Sequence, residues 1–380
     1  MNFNHTDERR MLADSLNRFI ADQYAFDLRE EAAASAHGYS SKIWSELANI
    51  GAMGALFTEA EGGLGGEGFD IAVVFEALGR GLVVEPLLGA LMAGQAIAKS
   101  GDARAPTLLT DIVEGSKVVA FAHEEVEPSP VQIHVQTRAK RNSDGWLLNG
   151  AKSMVPQGEQ CDVFIVSART SGEVNDNAGV SLFCIPASTP GLTVRGCQTI
   201  DGGRLAEIFL DNVQLQQDSL LGVEGQAQGA IESALDAGVL ALCAESLGAM
   251  EVAQAATLEY LKTRKQFGAL LGRFQALQHR MVDLYLEIEQ TRSAVIRAAA
   301  ALEGNDRVQR ARAISAAKFT VGRVGTLVAE EAVQLHGGIG MTWELPLSHY
   351  AKRLIMIDHQ LGDEHFHLSR YMAFGKALSG

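Results

Sequence analysis

An α+β multidomain fold is what this sequence predicts: an N-terminal α-helical domain, a middle β-barrel or sandwich domain and a C-terminal four-helix bundle. Three observations carry that expectation. Apolar residues recur at helical spacing up to about Gly101. Short β-branched or alternating runs separated by turn residues fill Ser116 to Gly222. Long segments with apolar stripes of helical period follow. At 380 residues the chain is too long for one ordinary core, and the changes of texture divide it into 1–115, 116–222 and 223–380.

In the first segment the helical period shows in Met11-Leu12-Leu16-Phe19-Ile20 and in Ile43-Trp44-Leu47, and apolar residues then dominate from Ile71 to Ile97. Between them Glu61-Gly62-Gly63-Leu64-Gly65-Gly66 reads as a turn, because a phosphate-cradling loop would continue into Lys-Ser/Thr. In the middle segment Val118–Phe121, Ile133–Thr137, Trp146–Leu148, Val163–Val166 and Ala206–Leu210 read as strands. Turn signals stand at Asn142-Ser143-Asp144-Gly145, Asn149-Gly150, Pro190-Gly191 and Asp201-Gly202-Gly203. No helical pattern separates these strands, which excludes a Rossmann-type sheet. In the last segment Ala230–Thr263, Arg273–Leu302 and Arg307–Leu335 are long amphipathic helices, and Pro346–Leu378 completes the bundle.

Composition narrows the function. The 47% hydrophobic content is that of a globular protein, and a net charge of -14 without any Lys/Arg run argues against nucleic-acid binding. Cys161, Cys184, Cys197 and Cys243 are widely spaced with no CxxC, which fits reduced thiols better than a disulfide framework or zinc site. Met1 to His5 lacks the basic and apolar segments of a signal peptide, and no uncharged run reaches membrane-spanning length, so the expectation is a cytoplasmic protein without a membrane partner. His359, His365 and His367 stand near Asp358 and Asp363 with mixed facing, and no metal is expected there.

Two motifs stand out: Arg264-Lys265-Gln266-Phe267-Gly268 and Gln334-Leu335-His336-Gly337-Gly338-Ile339-Gly340. Each ends a long apolar helical run with Gly and brings polar side chains and bare backbone to a helix terminus, an arrangement expected to suit a pyrophosphate. An Arg beside such a terminus holds phosphate oxygens in a planar fork, although Arg264 taken alone reads as a solvated helix-end cation. Asn149-Gly150-Ala151-Lys152, Leu210-Asp211-Asn212-Val213 and Leu220-Leu221-Gly222 accompany them in order. With these residues the chain resembles the acyl-CoA dehydrogenase family across almost its whole length.

The resemblance implies FAD-dependent α,β-dehydrogenation of an acyl-CoA thioester, with electrons passed to an electron-transfer flavoprotein. It implies that Arg264 and Phe267 reach a neighbouring subunit's FAD, that Gln334 and Gly338 line its pyrophosphate and adenosine part, and that Gln275 shares that surface. A homotetramer, or an α2β2 heterotetramer with a related chain, follows from sharing a cofactor.

Family members remove the Cα proton with a Glu, and here the chain departs from them. The usual position aligns with Leu361, followed by the matching Gly362, and the other known position aligns with Gly238, followed by Val239 where many relatives carry Arg. Glu245, two helical turns after Gly238 and among Leu240, Leu242, Cys243 and Leu247, is the relocated candidate. Apolar surroundings would raise its pKa provided that no cation pairs with it. Asp363 and Glu364 are the further candidates. His336 reads as helix-terminal, and Lys352-Arg353 as facing CoA phosphates or water.

The β-domain departs too. Relatives place flavin-contacting residues where this chain has Glu124-Glu125-Val126-Glu127-Pro128-Ser129-Pro130 and Met154-Val155-Pro156. Proline offers no N–H, and clustered carboxylates would repel a reduced flavin. Three functions are therefore carried forward: a dehydrogenase for a bulky or unusual acyl-CoA, a noncatalytic subunit completing a partner's FAD site, and a flavin oxidase or monooxygenase on the same fold.

Overall fold

A computed structural model describes residues 6–127 and 133–376. The first part is helical: α1 (Asp7–Gln23), α2 (Phe26–Ala34), α3 (Ser41–Ile50), α4 (Gly68–Gly81), α5 (Leu87–Ala98) and α6 (Ala105–Val113). Thr6 and Ser40 start α1 and α3 by accepting from Arg9 N and Ile43 N, as hydroxyl caps do. The apolar stretch 71–97 is two helices. Leu82 ends α4 in the left-handed region, and Pro86, which cannot continue a helix hydrogen-bond ladder, precedes α5.

Eight strands follow: β1 (Val119–Ala122), β2 (Arg138–Arg141), β3 (Gly145–Pro156), β4 (Val163–Arg169), β5 (Val180–Pro186), β6 (Leu192–Gln198), β7 (Arg204–Gln216) and β8 (Leu220–Leu221). They make one sheet in the order β6-β7-β3-β2-β4-β5-β8, with β1 parallel to β4. Trp146, Leu148, Phe164, Val166, Phe183 and Ile208 are buried along it. Two local expectations change. Ile133 to Thr137 is not a strand, because the Glu125 carboxylate takes the N–H groups of Gln136 and Thr137 in place of a ladder. Asn149-Gly150 is not a turn but a register shift inside β3, where Asn212 N donates to Asn149 Oδ1.

The remainder is α7 (Gln228–Thr263), β9 (Lys265–Gln266), β10 (Ala269–Leu270), α8 (Gln275–Leu302), α9 (Arg307–His336), α10 (Pro346–Asp358) and α11 (Glu364–Lys376). By length and composition α7 could cross a membrane, but 94% of its most apolar stretch is buried inside the protein, so it serves as a core helix. The fourth bundle member is broken into α10 and α11 by a turn at Leu361 and Gly362, whose φ values of 54° and 92° are left-handed. Two compact units result: Met1–Glu30, Glu67–Val83 and Val239–Gly380 form one, and Glu31–Gly66 with Val84–Gly238 the other.

Candidate functional site

Arg264 does not begin a helix cap but a hairpin. β9 and β10 pair Gln266 with Ala269 and Lys265 with Leu270. Phe267 and Gly268 between them have φ of 50° and 75°, the paired left-handed values of a two-residue hairpin loop. Gly268 is therefore the second turn residue, not a helix stop. Phe267 at the tip is 91% exposed, and its ring meets Phe274 edge-on at 6.4 Å. Leu271 N donates to Arg264 O, which folds the hairpin back to the start of α8. Gln275 is the first, exposed residue of that helix, and Phe274 before it provides no side-chain cap.

Gln334 is exposed in the last turn of α9, and Gly337 ends the helix at φ 68°. Gly338 is exposed, with open space where a Cβ would stand. The two motifs meet through their neighbours. Tyr260, one turn before Arg264, stacks on His336 with ring centroids 4.3 Å apart. His336 Nδ1 lies 2.9 Å from Ala332 O, so it carries the proton and leaves Nε2 as an acceptor. Burial holds the His336 pKa below its ordinary value, against the Ala332 hydrogen bond, so the ring is neutral near pH 7. A cavity of about 380 Å³ opens beside this pair, walled by Thr263, Ile339, Leu345 and Tyr350. Both motifs, however, follow helix C-termini, where the dipole is negative. The positive features nearby are the exposed Arg264 and Lys265 and the N-terminus of α8, which no side chain caps.

The carboxylates are placed differently from expectation. Glu245 is 6% exposed on α7, as its apolar neighbours suggest, but the condition attached to it fails. Arg353 of α10 grips it with two charge-assisted hydrogen bonds, Nε to Oε1 at 2.6 Å and Nη2 to Oε2 at 2.7 Å. Both carboxylate oxygens are thereby occupied as acceptors, so neither is left free for a proton from elsewhere. Arg353 thus faces neither CoA phosphates nor water alone, while Lys352 lies over the Trp343 ring at 3.8 Å. Arg353 Nη1 also donates to Gln360 Oε1 at 3.0 Å, which joins Glu245 to the residue before Leu361. Asp363 accepts from Phe366 N at 2.8 Å and so starts α11. Glu364 opens α11 with its carboxylate 3.8 Å from His365 Nε2.

In the sheet unit one carboxylate of the Glu124 to Glu127 cluster, Glu125, is paired with a buried lysine. Glu125 Oε1 lies 2.7 Å from Nζ of Lys152, whose side chain is fully buried. That Nζ also donates to His123 O at 3.1 Å and Ser167 Oγ at 3.0 Å. Burial pushes the Glu125 carboxyl up, but Lys152 and the hydrogen bonds from Thr137 outweigh it and hold the pKa below its ordinary value. Glu127 accepts from Gln136 Nε2 at 2.7 Å. Pro128, Ser129 and Pro130 lie outside the described residues. Met154 is exposed at φ 54°, at the register shift between Lys152 and Val155, and Pro156 pairs with Leu205.

Sequence reasoning missed the roles of Lys152, Arg353, Tyr260 and His336. Each role depends on a partner far away in the chain. Only the Tyr260 spacing, one helical turn before Arg264, carried a local signal. Together, the exposed cation pair, exposed aromatic tip, uncapped helix N-terminus and bare glycine backbone fit a dinucleotide of anionic phosphates and flat rings.

Comparison with known proteins places the chain in a family. Residues 6–115 match the N-terminal domain model of acyl-CoA dehydrogenase, 108–213 its middle domain and 228–363 its C-terminal domain. The short-chain specific acyl-CoA dehydrogenase of Megasphaera elsdenii is 30% identical over 325 residues, covering 83% of this chain and 84% of that protein. Among solved structures, a variant of the Tcur3481-Tcur3483 steroid ACAD is 30% identical with a TM-score of 0.88, covering 98% of this chain and 99% of that one. The FAD complex of PigA is 26% identical with a TM-score of 0.90, each chain being covered in full at 100%.

Proposed function

The chain belongs to the acyl-CoA dehydrogenase family, FAD-dependent enzymes acting on the CH–CH bond of acyl-CoA, and on that premise we propose that it handles a bulky or unusual acyl group within a shared-cofactor assembly. The observation that carries this reading is the meeting of the two motifs at the Tyr260–His336 stack. There Arg264 and Lys265 would hold phosphate oxygens, Phe267 would cover a ring, and Gln334 with Gly338 would line the pyrophosphate and adenosine part of FAD. Bound FAD accepts the hydride that leaves Cβ of the acyl group. Electrons then pass to an electron-transfer flavoprotein.

Removal of the Cα proton needs a carboxylate with a free oxygen in reach. Both oxygens of Glu245 already accept from Arg353. For Glu245 to act as base, the Arg353 fork must open and the carboxylate must lose its partner. This observation favours a second reading, in which the chain completes the FAD site of a related subunit that bears the base. The likeness to a steroid ACAD named for two chains supports it.

One experiment separates the two. Flavin is counted per chain in protein purified alone and with any co-purifying partner, and flavin bleaching is followed with a panel of acyl-CoA thioesters. Glu245→Gln in flavin-loaded protein should slow bleaching by about a hundredfold if Glu245 is the base. Unchanged bleaching removes that assignment, and one tightly held FAD per isolated chain removes the shared-subunit reading. Oxygen consumption without an added acceptor would instead mark an oxidase or monooxygenase.

A further inference from the structure

The segment that joins α9 to α10 is held to the protein by little apolar burial. It carries Gly338 of the second motif, and its large apolar side chains Ile339, Met341 and Trp343 are all exposed, Trp343 at 60%. Segments with so few buried apolar contacts open at low free-energy cost. A polar contact closes this one onto α10: His349 Nε2 lies 2.9 Å from Trp343 O. A carbonyl only accepts, so Nε2 carries the proton and Nδ1 is left as an acceptor.

His349 is 1% exposed, and its surroundings suit neither of its charge states. Its ring packs edge-on against Phe26 of α2 at 4.8 Å and against Trp343 at 4.6 Å. Nδ1 is buried without a hydrogen-bond partner, and Glu30 Oε1 stands 3.6 Å from it. In the neutral ring two acceptors therefore face each other. A proton on Nδ1 would turn it into a donor, but the same Glu30 oxygen already accepts from Arg29 Nη1, and Lys352 stands nearby over Trp343. Protonation thus adds a buried cation beside two others, with one shared carboxylate to offset it. Burial, joined by the Lys352 and Arg29 charges, holds the His349 pKa below its ordinary value against the Trp343 hydrogen bond and the Glu30 charge.

We propose that His349 is a pH-sensitive latch on the segment 337–345: neutral, it holds Trp343 O and keeps the segment closed; protonated, it leaves its buried seat and lets the segment open. The charged groups that face it are Glu30 and Arg29 from α2 and Lys352 from its own helix. The unfolded chain takes this proton first as pH falls below 6.5, so the closed form is favoured above that pH and loses ground below it. Opening displaces Gly338, and weak acidity therefore loosens the hold on a dinucleotide. That last link rests on the acyl-CoA dehydrogenase reading, under which Gly338 lines FAD; the latch itself does not.

Trp343 reports the latch directly. The other tryptophans, Trp44 and Trp146, are buried, so the emission of the whole protein minus that of Trp343→Phe isolates its signal. Between about pH 8 and about pH 4.5 that difference should show one transition. Its midpoint should lie below 6.5. The transition should vanish in His349→Gln, which keeps a donor for Trp343 O but cannot titrate, and persist in His367→Gln. Glu30→Gln should lower the midpoint and Lys352→Met raise it, each by about half a pH unit. These opposite shifts decide the matter should His349→Gln fail to fold. No transition, one that survives His349→Gln, or shifts of equal sign would overturn the proposal. The cofactor link is read from FAD release, followed by flavin fluorescence. Release should be about threefold or more faster at about pH 5.5 than at about pH 7.5 in the wild type, and pH-independent in His349→Gln. The same ratio in both proteins overturns the link. Protein that holds no FAD at either pH fails the functional reading instead, and the latch then stands or falls on the Trp343 transition.

Discussion

Phe267-Gly268 and Leu361-Gly362 are the same backbone device in opposite surroundings. Each is a non-glycine residue followed by glycine, both left-handed, with φ of 50° and 75° in the first and 54° and 92° in the second. The first stands at the tip of a two-strand hairpin with its ring 91% exposed. The second is gripped by Lys318, His367 and the Arg353–Gln360 contact. Local chemistry sets the bend in both, but only the second is tied to the core. A left-handed pair can thus project a side chain toward another molecule or aim it within a braced turn, and the anchors decide which.

The comparison can be broken most directly at Lys318. Lys318→Met removes the donor from two turn carbonyls and should cost about 2–6 kcal/mol, since each orphaned buried group costs about 1–3 kcal/mol. Urea unfolding measures it, and a loss under about 1 kcal/mol would mean that the turn holds without its lysine. Next come the glycines. A Cβ at Gly362 would meet the Phe366 ring at 2.4 Å, whereas one at Gly268 meets nothing within 4 Å. Gly362→Ala should therefore cost about 2–4 kcal/mol and Gly268→Ala only about 1 kcal/mol. Equal costs would show that the left-handed strain common to both turns, not packing, sets the cost in each.

His367 supplies a pH test of the braced turn. Burial, with help from the Lys318 charge, lowers its pKa to about 3 against the Leu361 hydrogen bond that raises it. The unfolded chain therefore binds this proton first as pH falls below the ordinary histidine value of 6.5. The stability held above that value is lost progressively on going down toward the folded pKa of about 3. From pH 7 to pH 5 the loss from this group should be about 2 kcal/mol, as each pKa unit is worth about 1.4 kcal/mol. His367→Gln should flatten that segment of the stability profile; an unchanged slope would assign it to other groups. The smallest stability effect is expected at the exposed tip. Phe267→Ala should change stability by about 0.5 kcal/mol or less, yet lower flavin retention severalfold. Full retention on gel filtration would remove Phe267 from the cofactor surface.

How much was legible beforehand varies from residue to residue. Helix periods around Leu16, Trp44 and Leu284 lie within a few residues of their buried faces, and those elements stand where the pattern put them. Ile133–Thr137 has good strand composition, but a carboxylate eight or more residues upstream took its amides. Asn149-Gly150 has turn chemistry, but the Asn149–Asn212 contact across 63 residues made it a bulge. The candidate site divides in the same way. Arg264, Phe267 and Gln275 lie within a dozen residues, and the Phe267–Phe274 ring contact folds that stretch back on itself. The status of Glu245 rested on Arg353, 108 residues away.

The sequence by itself determined the α, β, α order, the family, and the place of the two motifs at residues 264–268 and 334–340, because periodicity and short-range turn chemistry are written in adjacent residues. Tertiary structure alone decided that Glu245 and Glu125 are paired rather than free, and that Leu361 sits in a braced, strained turn. The reason is physical. The partner a carboxylate finds and the persistence of backbone strain are set by whatever packs within a few ångströms, and for these residues those neighbours come from distant parts of the chain.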